Sequence, residues 1–217
     1  EGLLEDIFKP MRALTVSNGT AALQLAYAAL GLRAGEEVIV PAFCFQAAGN
    51  VAKNLGLIPV YCDVESHSWN LCPVDVARKI TDRTRAIVVV HNYGVPAKMQ
   101  ELKAVARAKN IPIIEDCAEA WFSRDRSKIV GISGDIATFS MHATKTISAG
   151  EGGVILFRQK AVYDKARLIR SHGLDRSGIQ YMHLLPGNNF RLSNVLCAIA
   201  VAQLEAREEI IARQMNN

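Results

Sequence analysis

The sequence predicts an α/β protein of three layers, with helices on both faces of a mostly parallel seven-stranded sheet. Three observations predict it. Short β-branched or apolar runs recur along the chain, stretches of helical character lie between them, and most runs are too uniformly apolar for a sheet with one wet face.

Strands are expected at Ala13–Val16, Glu37–Val40, Pro59–Cys62, Ala86–Val90, Pro112–Glu115, Ile136–Ser140 and Gly153–Phe157. Helices are expected over Ala21–Leu30, Gln46–Leu55, Val74–Lys79 and Met99–Lys109, so strand and helix alternate as parallel pairing requires. After the last strand the pattern turns helical, at Lys160–Ser171 and Ser193–Ile211, interrupted by a Gly, Pro and Asn rich stretch from Gly173 to Asn189. No repeat or linker composition divides the chain, so residues 1–217 read as one domain. The start at Glu1, inside a helical pattern and without Met, reads as that of a fragment.

Composition narrows the function classes. Half of the residues are apolar and 21% are charged, which suits a packed globule and excludes a disordered chain. The net charge of +4 is interspersed, without a basic block, so nucleic-acid binding is not expected. Cys44, Cys62, Cys72, Cys117 and Cys197 are odd in number and lack metal-ligand spacing, which predicts buried thiols, no metal and a reducing compartment. No run reaches the roughly 18 apolar residues of a membrane span, and no signal peptide opens the chain. A cytoplasmic protein is expected.

Open parallel sheets hold ligands at the carboxyl ends of their strands. Asp116 follows the strand Pro112–Glu115. Ser140 ends another strand, and Lys145 lies five residues beyond it. The first strand runs through the turn Ser17-Asn18-Gly19-Thr20 straight into a helix, whose free N–H groups form an anion site. Neither the Walker loop nor the dinucleotide fingerprint occurs. A buried ammonium is costly, and that cost is how amine nucleophiles are made. Taken singly, each feature has a plain alternative: a solvated surface lysine, a helix-capping Asp, a capped helix start. Together they describe pyridoxal-phosphate chemistry, with a Lys for the aldehyde, an Asp for the ring nitrogen and a helix start for the phosphate.

Seven segments in order carry a resemblance: SNGTAAL from Ser17, GEEVIVPAFCF from Gly35, ITDRTRAIVVVHNYG from Ile80, IIEDCAEA from Ile113, GDIATFSMHATKTISAGEGG from Gly134, RSHG from Arg170 and GNNFRLSN from Gly187. Over nearly its whole length the chain resembles the DegT/DnrJ sugar aminotransferases, fold-type I enzymes that use pyridoxal 5'-phosphate. The resemblance implies the large cofactor domain of such an enzyme, with residues before Glu1 and a smaller carboxy-terminal domain lying outside this chain.

It also implies residue roles. Lys145 would form the Schiff base and then move the proton, and Asp116 would hold the ring nitrogen. Gly19, Thr20 and Ser140 would hold the phosphate. Phe45 would stack on the cofactor, and without the family it reads equally as a core Phe. Asn189 would reach the phosphate of a neighbouring subunit, giving a homodimer with shared sites, although beside Gly187 and Asn188 it also suits a plain loop. Glu119 stands where the family more often has Gln or His, near the ring oxygen, so it should carry a proton or turn to another partner. His142, three residues before the Lys, and His91, after a strand, each have two readings, lining the pocket or serving as a satisfied structural histidine, and the second is the plainer for both.

The implied reaction moves an amino group from an amino acid, glutamate or glutamine, to a keto-sugar linked to a nucleotide. A keto-cyclitol or a keto-octulosonate is the alternative acceptor, and a non-catalytic regulator that keeps the fold is the alternative from another class. Retention of Lys145 argues against the dehydratase branch, in which a His takes its place.

Overall fold

The structure, a computed structural model, describes residues 1–175 and 181–216. In chain order the elements are α1 (Gly2–Ile7), β1 (Arg12–Val16), α2 (Gly19–Leu30), β2 (Glu37–Pro41), α3 (Ala47–Asn54), β3 (Ile58–Cys62), α4 (Pro73–Lys79), β4 (Thr84–Val90), a 3-10 turn (Asn92–Gly94), α5 (Met99–Ala108), β5 (Ile113–Asp116), β6 (Arg124–Asp125), β7 (Lys128–Ile129), β8 (Ile136–Ser140), β9 (Gly153–Phe157), α6 (Lys160–Arg170), α7 (Asn194–Glu205) and α8 (Arg207–Met215).

Seven strands form one sheet in the order β1-β9-β8-β5-β4-β2-β3, and β6 and β7 form a separate hairpin. Strands β8, β5, β4, β2 and β3 pair in parallel, while β9 runs antiparallel to both of its neighbours. The mostly parallel sheet read from the sequence is the sheet observed.

Both faces are covered, which is why the strands read as continuous apolar runs. In β4, Ala86, Val88 and Val90 pack with α2, α3 and α6, while Ile87 and Val89 pack with α4 and α5. At the β8–β9 end, Ile136, Ile155 and Phe157 face the first layer, and Ala137, Phe139, Val154 and Leu156 face α1 and α7. Hence Asp116, two residues on from Ile114, points to the α2 face, and its neighbour Glu115 points to the opposite one.

The helix ends follow local chemistry. Asn18 caps α2 by accepting the Ala21 N–H at 2.8 Å, and Gly31 ends it in the left-handed conformation at φ 77°. Pro73 occupies the first turn of α4. Most expected elements match within a residue or two at each end.

Two expectations are corrected. The single helix expected over Ser193–Ile211 is two, α7 and α8, because Ala206 leaves the helical region at ψ 8° and Arg207 donates to the Leu204 carbonyl at 3.0 Å. Of the five cysteines, Cys62 and Cys117 are buried, whereas Cys44, Cys72 and Cys197 are only half-buried. The β6–β7 hairpin and the 3-10 turn are too short for a periodicity signal. Within the irregular stretch from Gly173, bridges join Leu174 to His183 and Ser171 to Asn189, and residues 176–180 lie outside the described ones.

Candidate active site

The turn from β1 to α2 presents free donors. Asn18 takes up the Ala21 N–H, and Ala22 donates to the Asn18 carbonyl, so the N–H groups of Gly19 and Thr20 are left without a backbone acceptor among the described residues. The turn lies tight against the sheet. A Cβ on Gly19 would stand 3.1 Å from Ser140 Cβ, and one on Gly153 would stand 2.6 Å from the Asn18 carbonyl. Only glycine at 153 lets β9 support the turn, and this closeness sets the Ser140 hydroxyl beside the helix start.

Asp116 ends β5 at the same edge. Its Oδ1 accepts the Ala118 N–H at 3.1 Å, and no cationic side chain of the described residues forms an ion pair with it. Burial, at 8% exposure, pushes its carboxyl above the usual aspartate range, and the charge of Glu119 adds to this against the Ala118 bond, His91 and Lys145.

Lys145 projects from a loop that closes on itself after β8. Met141 N–H donates to the Gly152 carbonyl, Ala143 N–H to Gly150 and Ala149 N–H to Met141, which fixes the loop ends, and Lys145 N–H donates to His142. The Lys145 side chain is about a quarter exposed, and its Nζ lies 4.0 Å from Glu119 Oε1. Glu119 does turn to another partner, because its Oε2 accepts the Tyr93 N–H at 3.0 Å.

All eight residues picked from the sequence, Gly19, Thr20, Phe45, Asp116, Glu119, Ser140, Lys145 and Asn189, line one cavity of about 780 Å³. Phe45 is 78% exposed at its rim, so it is not a core residue. Asn189 lines this chain's own cavity, although the resemblance implies service to a neighbouring subunit. It is held there because the Phe190 carbonyl accepts the Ser17 N–H at 2.8 Å.

The two histidines part company. His91 is fully buried and structural, bonded to Glu115 and to the Ala97 N–H. His142 is exposed, bonds Thr144 Oγ1 at 3.0 Å and lines the cavity, which is the other of its two readings. Gln24 and Glu151 line the cavity too and were not picked out. Gln24 had a signal, since it lies one helical turn beyond Thr20. His91, Glu115 and Cys117 come within 4.8 Å of one another, but both ring nitrogens and both carboxylate oxygens already have partners within the chain.

These residues fit pyridoxal phosphate. Two N–H groups without a partner among the described residues and a hydroxyl face the space for phosphate oxygens, Asp116 offers a buried carboxyl whose charged form a cationic ring nitrogen would favour, and Lys145 brings an amine into the same space.

The comparisons agree. The DegT/DnrJ/EryC1/StrS aminotransferase family matches residues 1–217. GDP-perosamine synthase of Escherichia coli O157:H7 is 43% identical over 202 residues, 93% of this chain and 55% of that protein. The L-glutamine:2-deoxy-scyllo-inosose aminotransferase of Micromonospora echinospora is 38% identical over 210 residues, 93% of this chain and 50% of that protein. The crystal structure of 3-amino-5-hydroxybenzoic acid synthase is similar at a TM-score of 0.87 and 39% identity, over 91% of this chain and 52% of that one. The chain therefore spans about half the length of the curated relatives it matches. Matched over all its residues, the chain belongs to the DegT/DnrJ/EryC1/StrS aminotransferase family.

Proposed function

We propose that this chain is the cofactor-holding part of a pyridoxal-phosphate-dependent aminotransferase that passes an amino group from glutamate or glutamine to a nucleotide-linked keto-sugar. The observation that carries the reading is the convergence of Lys145, Asp116, Ser140 and the start of α2 on one cavity. When bound, the cofactor supplies an electron sink that lets a proton leave the carbon bearing the nitrogen.

The chain's own residues would do the rest. Gly19 and Thr20 would hold the phosphate through backbone N–H groups and Ser140 through its hydroxyl. Asp116 would keep its charge opposite the ring nitrogen, where burial makes the attraction strong. Lys145 would hold the cofactor covalently and, once displaced, carry the proton, with Glu119 beside its amine. Phe45 would lie against the ring from the rim.

A sugar acceptor on a nucleotide is supported by the likeness to GDP-perosamine synthase. A keto-cyclitol acceptor is the second reading, favoured by the 38% likeness to the scyllo-inosose aminotransferase. A purely regulatory role leaves the intact Lys145 and Asp116 pair without a purpose. A homodimer belongs to the proposal, supported by α7, whose Val195, Ile199 and Val201 are exposed. Five unpaired cysteines support a cytoplasmic setting, and no helix among the described residues is long and apolar enough to cross a membrane.

The test is borohydride reduction of the protein loaded with pyridoxal phosphate, followed by peptide mass spectrometry. A phosphopyridoxyl group on Lys145, absent after Lys145→Ala, is expected. An adduct elsewhere, or none, sinks the reading.

A further inference from the structure

Lys145 and Glu119 stand between two cavities. On one side is the cavity of about 780 Å³ with the helix start, Ser140 and Asp116. On the other is a cavity of about 330 Å³ lined by Tyr93, Ala118, Glu119, Thr144, Lys145 and Thr146. The smaller one contains neither the start of α2 nor Ser140 nor Asp116, the groups that would hold the phosphate and the ring nitrogen. Its lining is instead two threonines, a carboxylate, an amine and a phenol ring. Nothing in the cofactor reading uses Tyr93 or Thr146.

Tyr93 is held in a conformation that bulky residues rarely adopt, φ 52° and ψ 27°. Two contacts enforce it. Its N–H is bound by Glu119 Oε2 at 3.0 Å, and the preceding Asn92 is buried as a staple. Asn92 Nδ2 donates to the carbonyls of Trp69 at 2.7 Å and Phe43 at 3.1 Å, and its N–H donates to Asn70 Oδ1 at 3.0 Å. Trp69 is itself left-handed, at φ 57°. The result is a row of exposed rings, with Phe43 5.0 Å from Trp69 and 6.4 Å from Tyr93, of which Tyr93 lines the cavity and is the most open at 72%. Strained residues persist only where their surroundings over-determine them, and they gather at ligand clamps.

A polyhydroxylated six-membered ring has C–H faces that lie on aromatic rings and a rim of hydroxyls that pair with small polar side chains. The smaller cavity offers both kinds of surface within reach of Lys145. Thr144 is already engaged with His142, whereas the Thr146 hydroxyl has no partner among the described residues. We propose that this smaller cavity is the acceptor site, with the Tyr93 ring as the platform for the sugar or cyclitol ring and the Thr146 hydroxyl reading one of its oxygens. The volume lies at the low end for small-molecule pockets, which suits a single ring. The proposal rests on the aminotransferase reading and deepens it by naming which residues of this chain choose the acceptor.

The test separates the two half-reactions of the holoenzyme. The donor half is the change in cofactor absorbance on adding glutamate or glutamine alone. The acceptor half is followed with a GDP-linked keto-hexose and with 2-deoxy-scyllo-inosose. Tyr93→Ala and Thr146→Val should each raise the acceptor KM about tenfold or more, with the donor half-reaction within about twofold of wild type. Tyr93→Phe, which keeps the ring, should recover most of the Tyr93→Ala loss. Equal losses in both halves, a fall in both together with a change of oligomeric state, an unchanged acceptor half, or wild-type protein that reacts with donor but with neither acceptor each overturn the proposal. If the wild type shows no donor half-reaction, the aminotransferase reading has failed. Saturation-transfer NMR with GDP-mannose and with 2-deoxy-scyllo-inosose then decides the subsite, which falls if neither binds wild type or if Tyr93→Ala binds equally well.

Discussion

His91 Nε2 lies 3.1 Å from Glu115 Oε2, both side chains fully buried, and Glu115 directly precedes Asp116. The Ala97 N–H donates to His91 Nδ1, so Nε2 is the nitrogen that carries the hydrogen toward Glu115. The same carboxylate also accepts the N–H groups of Gly131, Ser133 and Gly134. One buried acid thus ties the turn after β4, the end of β5 and the entry to β8 together behind the site.

Burial opposes the Glu115 charge, but the His91 bond and the Gly134 and Gly131 N–H groups outweigh it and hold this carboxyl below the usual glutamate range. A lowered folded pKa gives stability that is complete above the ordinary value of about 4.3 and is lost as pH falls toward the folded one. Glu115→Ala should cost about 3 kcal/mol or more in urea unfolding at pH 7, because several buried donors lose their acceptor. Wild type should lose stability more steeply than Glu115→Gln as pH drops from about 5 to 3. Parallel pH profiles would refute the assignment.

Asp116 has the opposite sign. Its raised carboxyl favours the folded state at low pH, and that contribution fades as pH rises from the ordinary value of about 3.9 through the folded one. Once ionised, this carboxylate is a buried charge with no ion-pair partner among the described residues. Asp116→Asn should stabilise the cofactor-free protein by about 1 kcal/mol or more while lowering turnover at least about 100-fold. Calorimetry without and with pyridoxal phosphate checks the first part, since added cofactor should favour wild type over the variant.

Gly153→Ala would place a methyl 2.6 Å from the Asn18 carbonyl and 2.9 Å from the Gly19 nitrogen. Backbone cannot give way as a side chain does, so the turn must shift off the sheet. The expected outcome is pyridoxal-phosphate affinity weaker by about tenfold or more with a stability loss of about 1–3 kcal/mol. A fluorescence titration of the cofactor reads the first number.

Asn189 lines its own chain's cavity, and the proposed dimer assigns it to the neighbour's. Mixing Lys145→Ala with Asn189→Ala protein decides between them. Service across the dimer leaves one intact site in each mixed dimer and restores activity, whereas service within the chain restores none.

The sequence alone determined the order of strands and helices, since both depend on nearby residues: apolar runs for strands covered on both sides, and Asn18, Pro73 and Gly31 for helix ends. It also determined which side chains stand at the strand ends, because one residue's shift along a strand reverses the face it presents. That is why Asp116 and Ser140 were legible in the sequence, while Lys145, on the loop after β8, was legible by its place beyond a strand end. Short or unperiodic features were not: the two-residue strands β6 and β7, the break at Ala206, and the separate fates of His91 and His142 depend on contacts that no local pattern encodes. The tertiary structure decided that Glu119 binds Tyr93 rather than standing alone, that Asn92 holds Phe43 and Trp69 from far along the chain, and that Lys145 divides two cavities. Such relationships exist only once β4, β5 and β8 lie side by side, since pairing in the sheet is what brings residues 93, 119 and 145 into one place.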